Sequence, residues 1–164
     1  GDKSGGLSRY TRRSLSILDA SGLDIIIVES VGAGQSEVDI LKITDVVVIV
    51  LMPELGDDIQ IYKAGLMEVG DIFVVNKSDL DSSDQMYTKL LNASKIKNDK
   101  WMTQVIKTNS ITGSGIDRLI TSISERKKFI TELPIKNANG KIEKKNIKIF
   151  SKLFFDFNII FFYH

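Results

Sequence analysis

The sequence contains no cysteine and a single histidine, His164. Their scarcity excludes a disulfide scaffold, thiolate catalysis and an ordinary Cys/His zinc site, and a cysteine-free chain suits the cytoplasm. An excess of either charge is lacking as well: 22 Lys+Arg against 21 Asp+Glu leave a net charge of +1, which points to no nucleic-acid partner. Long apolar runs are absent. Residues 45–51 and 158–163 are the longest, far short of the roughly 20 residues that a bilayer span requires. Residues 1–13 are polar and basic without the central apolar run of a signal peptide. What remains, 164 residues with 43% hydrophobic and 26% charged side chains, has the balance of one globular domain that meets no membrane.

Four short apolar runs recur: DIIIVE at 24–29, DVVVIVLM at 45–52, DIFVVN at 71–76 and QVIKTN at 104–109. The first three are nearly continuous in Val, Ile, Leu and Phe, as expected of central strands covered on both faces, and so predict a mainly parallel sheet. Helical spacing fills the intervals. Residues 7–20 read as a helix closed by Ser21-Gly22; Ile59, Tyr62, Leu66 and Val69 form one stripe; Ile116, Leu119, Ile120 and Ile123 form another. Ser114 is placed as the N-cap of that last helix, with Asp117 in its first turn to complement the helix dipole. The fold class expected is α/β and doubly wound, with ligands at the carboxyl ends of the strands. The domain is expected over residues 1–133. Residues 136–152 hold six lysines, and six of the eight phenylalanines lie between Phe150 and Phe162, so 134–164 reads as a Lys/Phe-rich tail outside the domain.

Polar letters that directly follow strands are therefore the ones to read for chemistry. Asn76-Lys77-Ser78-Asp79 matches the N-K-x-D pattern by which G proteins recognise guanine. A carboxylate at Asp79 can accept hydrogen bonds from guanine N1–H and the 2-amino group; adenine offers neither donor there, which selects GTP over ATP. Asn76 can bond the base edge and neighbouring loops, and the Lys77 stem can lie along the base face. A solvated turn would also use Asn and Asp after a strand. The next strand ends in Asn109-Ser110-Ile111-Thr112-Gly113, where G proteins place an S-A-x loop whose main-chain N–H meets guanine O6, so Ser110, Ile111 and Thr112 join the candidate base contacts. The first strand ends in Glu29-Ser30-Val31-Gly32, similar to the D-x-x-G switch motif with Glu for Asp.

Four separated segments, GGLSRYTRR at 5–13, IIVESVGAGQSE at 26–37, PELGDDIQIYKAGLMEVGD at 53–71 and the N-K-S-D loop, together resemble the MeaB/ArgK family of methylmalonyl-CoA mutase-associated GTPases over roughly residues 5–130. The resemblance implies a P-loop G-protein metallochaperone that binds and hydrolyses GTP. Its implied task is to guard adenosylcobalamin delivery to methylmalonyl-CoA mutase or a related acyl-CoA mutase, with cobalamin adenosyltransferase as a further partner. It also implies the mitochondrial matrix in a eukaryote, and a homodimer whose C-terminal arm residues 134–164 do not resemble. By the same carry-over Glu29 is the acidic group linked to the nucleotide's Mg²⁺, Gly32 N–H senses the γ-phosphate, and both count as catalytic candidates. Gln35 is two places too far from the motif glycine to be the water-positioning glutamine. Asp57, Asp58, Gln60 and Lys63 are candidates for partner signalling.

One motif is wanting. A phosphate cradle of the form G-x-x-x-x-G-K-[ST] occurs nowhere in the 164 residues. The expectation is an N-terminally truncated P-loop sheet, without its first strand and phosphate loop, and a chain that is an inactive fragment of a GTPase. The alternatives are a non-catalytic interaction module, a nickel-insertion GTPase, which zero cysteines disfavour, and a kinase or ATPase linked to lysine/arginine/ornithine transport, as the family was formerly labelled.

Overall fold

The computed structural model describes residues 9–23, 25–30, 44–53, 66–96, 100–132, 135–136, 142–143 and 158–163; for 9–12, 29–30 and everything beyond 132 it describes the backbone alone. Three of the apolar runs form strands that pair in parallel: β2 (Val46–Leu51), β3 (Ile72–Val75) and β4 (Gln104–Lys107). Leu51 stands opposite Val75 and Val75 opposite Lys107, so the carboxyl ends of β2 to β4 are level.

Every residue of β2 and β3 is buried, because both faces of the sheet are covered. On one face Val47, Ile49, Leu51, Phe73 and Val75 pack with Leu15 of α1 (Arg9–Ala20), Leu66 of the short α2 (Leu66–Val69), and Met86 and Leu90 of α3 (Ser82–Ser94). On the other, Val46, Val48, Val50, Ile72, Val74 and Ile106 pack with Leu119, Ile123 and Ile130 of α4 (Ile116–Glu132). Alternate side chains of each strand thus feed opposite layers, which is why these runs carry no polar alternation. This is the expected α/β architecture of the P-loop NTPase type.

Two expectations change in detail, and one helix is added to those expected. Helix α3 has no strong sequence signal: besides Met86 and Leu90, its buried positions are the small polar Ser83 and Ser94. Ser114 does not cap α4, which begins at Ile116 after Gly115 at φ +77°; the Ser114 carbonyl instead accepts the Asn109 N–H at 2.9 Å. Ile120 lies outside the buried stripe and is exposed, while Ser122 is fully buried and donates to Gln104 Oε1 at 2.7 Å. Of the stripe Ile59, Tyr62, Leu66 and Val69, only the last two lie within the described residues, in α2.

The remaining strand of the switch segment, β1 (Ile26–Ser30), is not hydrogen-bonded to β2. Between them runs β7 (Asn158–Tyr163), antiparallel to both, so the sheet order is β1-β7-β2-β3-β4. Within residues 134–164, β5 (Ile135–Lys136) and β6 (Ile142–Glu143) pair antiparallel in a separate two-stranded sheet, and β7 enters the main one. The physical reason is backbone satisfaction. Two strands held one strand-width too far apart leave facing rows of N–H and C=O groups, and an apolar strand placed between them pairs with both.

Candidate functional site

The carboxyl ends of β3 and β4 continue their ladder into the following loops. Asn76 N–H donates to Leu51 O at 2.9 Å, Thr108 N–H to Val75 O at 2.8 Å, and Ser78 N–H to Thr108 O at 3.0 Å. The two loops are therefore fixed relative to each other by main chain before any side chain is considered. Lys77 then adopts φ 53°, the left-handed region that a side chain rarely occupies. That reversal sends the chain straight toward α3: Leu80 N–H donates to Lys77 O at 3.1 Å and Ser83 Oγ to Ser78 O at 3.1 Å. A strained backbone at one residue is what keeps Asn76 and Asp79 at the same edge.

Side chains lock the loops further. Asn76 Oδ1 accepts from Ser110 N–H at 3.2 Å and from the buried Thr108 hydroxyl at 3.3 Å, while Asn76 Nδ2 donates to Ser110 Oγ at 3.3 Å. Asn109 makes the second tie: its Nδ2 donates to Asp79 Oδ1 at 2.7 Å, and its Oδ1 accepts from Ile111 N–H at 3.0 Å and Thr112 N–H at 3.1 Å. Asn76, Asp79, Ser110, Ile111 and Thr112 are thus brought together. Thr108 and Asn109 belong to the same network and were not among the expected contacts; the signal for Thr108 was its place as the last strand-flanking residue, with a hydroxyl facing Asn76.

Two features differ from the simplest guanine pocket. Asp79 is exposed, so a base would have to bury it for its selectivity to act. The N–H groups of Ser110, Ile111 and Thr112 are engaged by Asn76 and Asn109, so a base acceptor would share or displace those bonds. Ile111 projects an apolar side chain that is 94% exposed beside the junction, a surface well suited to a planar ring.

Glu29 is not part of this cluster. It faces Ile160 of β7, Ile160 faces Val48, and Val48 faces Ile72, four residues before Asn76 along β3. Its backbone therefore lies across β7 and lower on the sheet. Gly32, Gln35, Asp57, Asp58, Gln60 and Lys63 fall outside the described residues. Among the described residues no group of three or more His, Asp or Glu side chains is arranged to hold a metal ion, and no helix is long and apolar enough to cross a membrane.

Comparison with known proteins bears on the same stretch. The family model described as methylmalonyl-CoA mutase-associated GTPase MeaB matches residues 1–155. A putative GTPase of Pyrococcus horikoshii is 47% identical over 146 residues, covering 86% of this chain and 44% of that protein. The GTPase ArgK of Escherichia coli is 33% identical over 146 residues, 85% of this chain and 42% of its own length. A mouse protein named methylmalonic aciduria type A homolog, mitochondrial, is 32% identical over 127 residues, 74% of this chain and 31% of its own. The chain spans less than half the length of each of these relatives.

Proposed function

Since the chain belongs to the MeaB family of methylmalonyl-CoA mutase-associated GTPases, we propose that it supplies the guanine-reading and switch portion of a GTP-hydrolysing chaperone. That chaperone serves an adenosylcobalamin-dependent methylmalonyl-CoA mutase or related acyl-CoA mutase, with cobalamin adenosyltransferase as a second partner, and works in the cytoplasm or the mitochondrial matrix. The switch and guanine motifs lie within residues 1–133. The observation that carries the reading is the junction of the two loops, in which Asn76 is tied to Ser110 and Asp79 to Asn109.

In this reading Asp79 accepts from guanine N1–H and the 2-amino group, Asn76 and the 110–112 loop address the opposite edge, and the Lys77 stem and Ile111 flank the ring. Glu29 holds the nucleotide's Mg²⁺, whose charge offsets that of the phosphates, and Gly32 N–H meets the γ-phosphate. A second reading, a non-catalytic interaction fragment, is favoured by the lack of any G-x-x-x-x-G-K-[ST] string in the 164 residues. Without that cradle most of a nucleotide's charge goes unheld, so binding by this chain is weak and its hydrolysis negligible.

The test is an NMR titration of the ¹⁵N-labelled chain with GDP and with ADP, a method that reads millimolar affinities. Guanine-selective shifts at Asn76, Asp79 and residues 109–112 are expected. Equal shifts with both nucleotides, or none at these loops, would refute the guanine pocket.

A further inference from the structure

Strands β1 to β4 run in one direction, and β7, antiparallel to both β1 and β2, runs the other way. It fills a slot one strand wide: β1 and β2 are not bonded to each other, and each pairs with β7 over five positions, Ile26 to Ser30 and Val46 to Val50. The walls of the slot are apolar on both faces. Val28, Val47 and Ile49 belong to the layer of α1 to α3, and Val46, Val48 and Val50 to the layer of α4. An occupant must therefore be extended, apolar toward both faces and free of proline, because main-chain groups on both of its edges are used. Residues 158–163, with the sequence NIIFFY, meet those terms.

The connection to β7 is long for the distance it covers. Helix α4 reaches the amino end of β3, where Arg126 meets Asp71, whereas β7 begins beside Val50, toward the carboxyl end of β2. Residues 133–157 must therefore recross much of the sheet, a path on the order of 25 Å. Fully extended they reach on the order of 80 Å, enough for the slot of another molecule as well as their own. We infer that the slot between β1 and β2 is a strand-acceptor site for residues 158–163 of a second copy, and that two copies exchange β7 reciprocally into a closed two-fold dimer. The exchange keeps every main-chain bond of the slot, so concentration decides between the two states. With an effective concentration of roughly 1 mM for a strand in its own slot, single chains prevail at micromolar protein and exchanged dimers at millimolar. This is not the arm contact that the family resemblance implies, since residues 134–164 do not resemble that arm. It also stands apart from the guanine reading: the described bonds of the loops after β3 and β4 include none to β7, so each copy keeps its own pair of loops.

The chain has no cysteine, so a single introduced thiol reports its neighbour cleanly. Ile27 of β1 is more than half exposed and stands opposite Phe162 of β7, and either kind of antiparallel pair brings Cα atoms within disulfide range. For the test, ¹⁵N-labelled I27C and unlabelled F162C are refolded together from urea at about 1 mM protein, oxidised, and weighed by mass spectrometry. A covalent dimer of one labelled and one unlabelled chain forms across this ladder only where β7 of one copy lies in the slot of the other. Its yield is expected to exceed by at least about 10-fold that obtained with N158C in place of F162C, because Asn158 lies about 13 Å further along β7. Refolding at about 10 μM is expected to abolish the difference. Wild type refolded at the higher concentration is expected to scatter light as a dimer, and larger assemblies would overturn the closed exchange. The double variant I27C/F162C shows whether β7 sits beside β1 at all. If it closes an internal disulfide while the mixed pair gives no more dimer than the N158C control, β7 stays in its own sheet and the exchange is overturned. If it forms no disulfide within or between chains, β7 is not beside β1, and the pairing and the inference fall together.

Discussion

Arg126 of α4 donates to Asp71 Oδ1 at 2.8 Å, beneath the start of β3, with both side chains mostly buried. The other Asp71 oxygen accepts Val47 N–H at 2.8 Å, and its carbonyl accepts Trp101 Nε1 at 3.0 Å. Arg126 also lies over the Trp101 and Phe129 rings, at 5.1 and 5.6 Å from their centroids. One acidic residue thus fixes β2, β3 and α4 at the end of the sheet opposite the loops that follow β3 and β4. Removing one partner of a buried pair leaves an uncompensated charge, so Asp71→Asn is expected to cost about 3 to 5 kcal/mol. The double variant D71N/R126M is expected to recover much of that loss. Urea denaturation midpoints with unchanged slope check both; a D71N midpoint equal to wild type would mean that the pair is not what holds α4 to the sheet.

A second expectation concerns base selection in the proposed guanine pocket. In Asp79→Asn the amide keeps one acceptor for N1–H and gains a donor, which faces the 2-amino group of guanine unfavourably but suits the 2-oxo group of xanthine. GDP affinity is expected to fall by about 10- to 100-fold and XDP to bind more tightly than GDP. Paired titrations with the two diphosphates decide it. An unchanged order of affinities would remove Asp79 from base recognition.

Two glycines with the same backbone angle separate strain from crowding. Gly113 and Gly115 both have φ +77°; a Cβ on Gly113 meets nothing within 4 Å, whereas on Gly115 it would run into the Lys107 carbonyl and lie 3.2 Å from Thr108 Cα. Gly113→Ala is expected to cost only the left-handed penalty of about 1 to 2 kcal/mol. Gly115→Ala adds a backbone clash that the loop holding Thr108 and Asn109 must absorb, so its cost is expected to exceed that of G113A clearly. Thermal unfolding of the two variants side by side checks the order, and equal midpoints would show that the loop yields freely.

The parts of this molecule legible in the sequence are those whose cause is local. β2 and β3 announce themselves because six and four consecutive positions are buried and apolar, and Asn76 to Asp79 because the letters follow a strand directly. Asn109 could not be found that way. Its amide matters only because Asp79 lies beside it in space, and Asn after a strand is ordinary turn chemistry. Helix α3 escaped because its large buried anchors are only Met86 and Leu90, its other buried positions being Ser83 and Ser94, whose hydroxyls donate to main-chain carbonyls. Ser114 has the right residue type for a cap, yet Gly115 at positive φ ends the loop one position later. Strand order is the least local property of all, and nothing in residues 158–163 says which edges they will join.

The place of β7 yields the last prediction. It pairs with β1 over five positions, Ile26 to Ser30, and with β2 over five, Val46 to Val50. β3 pairs with β2 and β4 with β3 without it, and the described bonds of the loops after β3 and β4 run to β2, β3, β4, α3 and each other, none to β7. Deleting residues 158–163 therefore strips hydrogen-bond partners from β1 on one side and from β2 on one side, while leaving the β2-β3-β4 ladder whole. Amide exchange is expected to quicken strongly at residues 26–30 and at those β2 amides that face β7, and to change little at 72–75 and 104–107. GDP-induced shifts at Asn76 and Asp79 are expected to persist in the deleted chain. If exchange instead quickens uniformly, β7 is an integral strand whose loss unfolds the sheet as one unit; if β1 stays protected, it has another partner and the slot between β1 and β2 closes by itself.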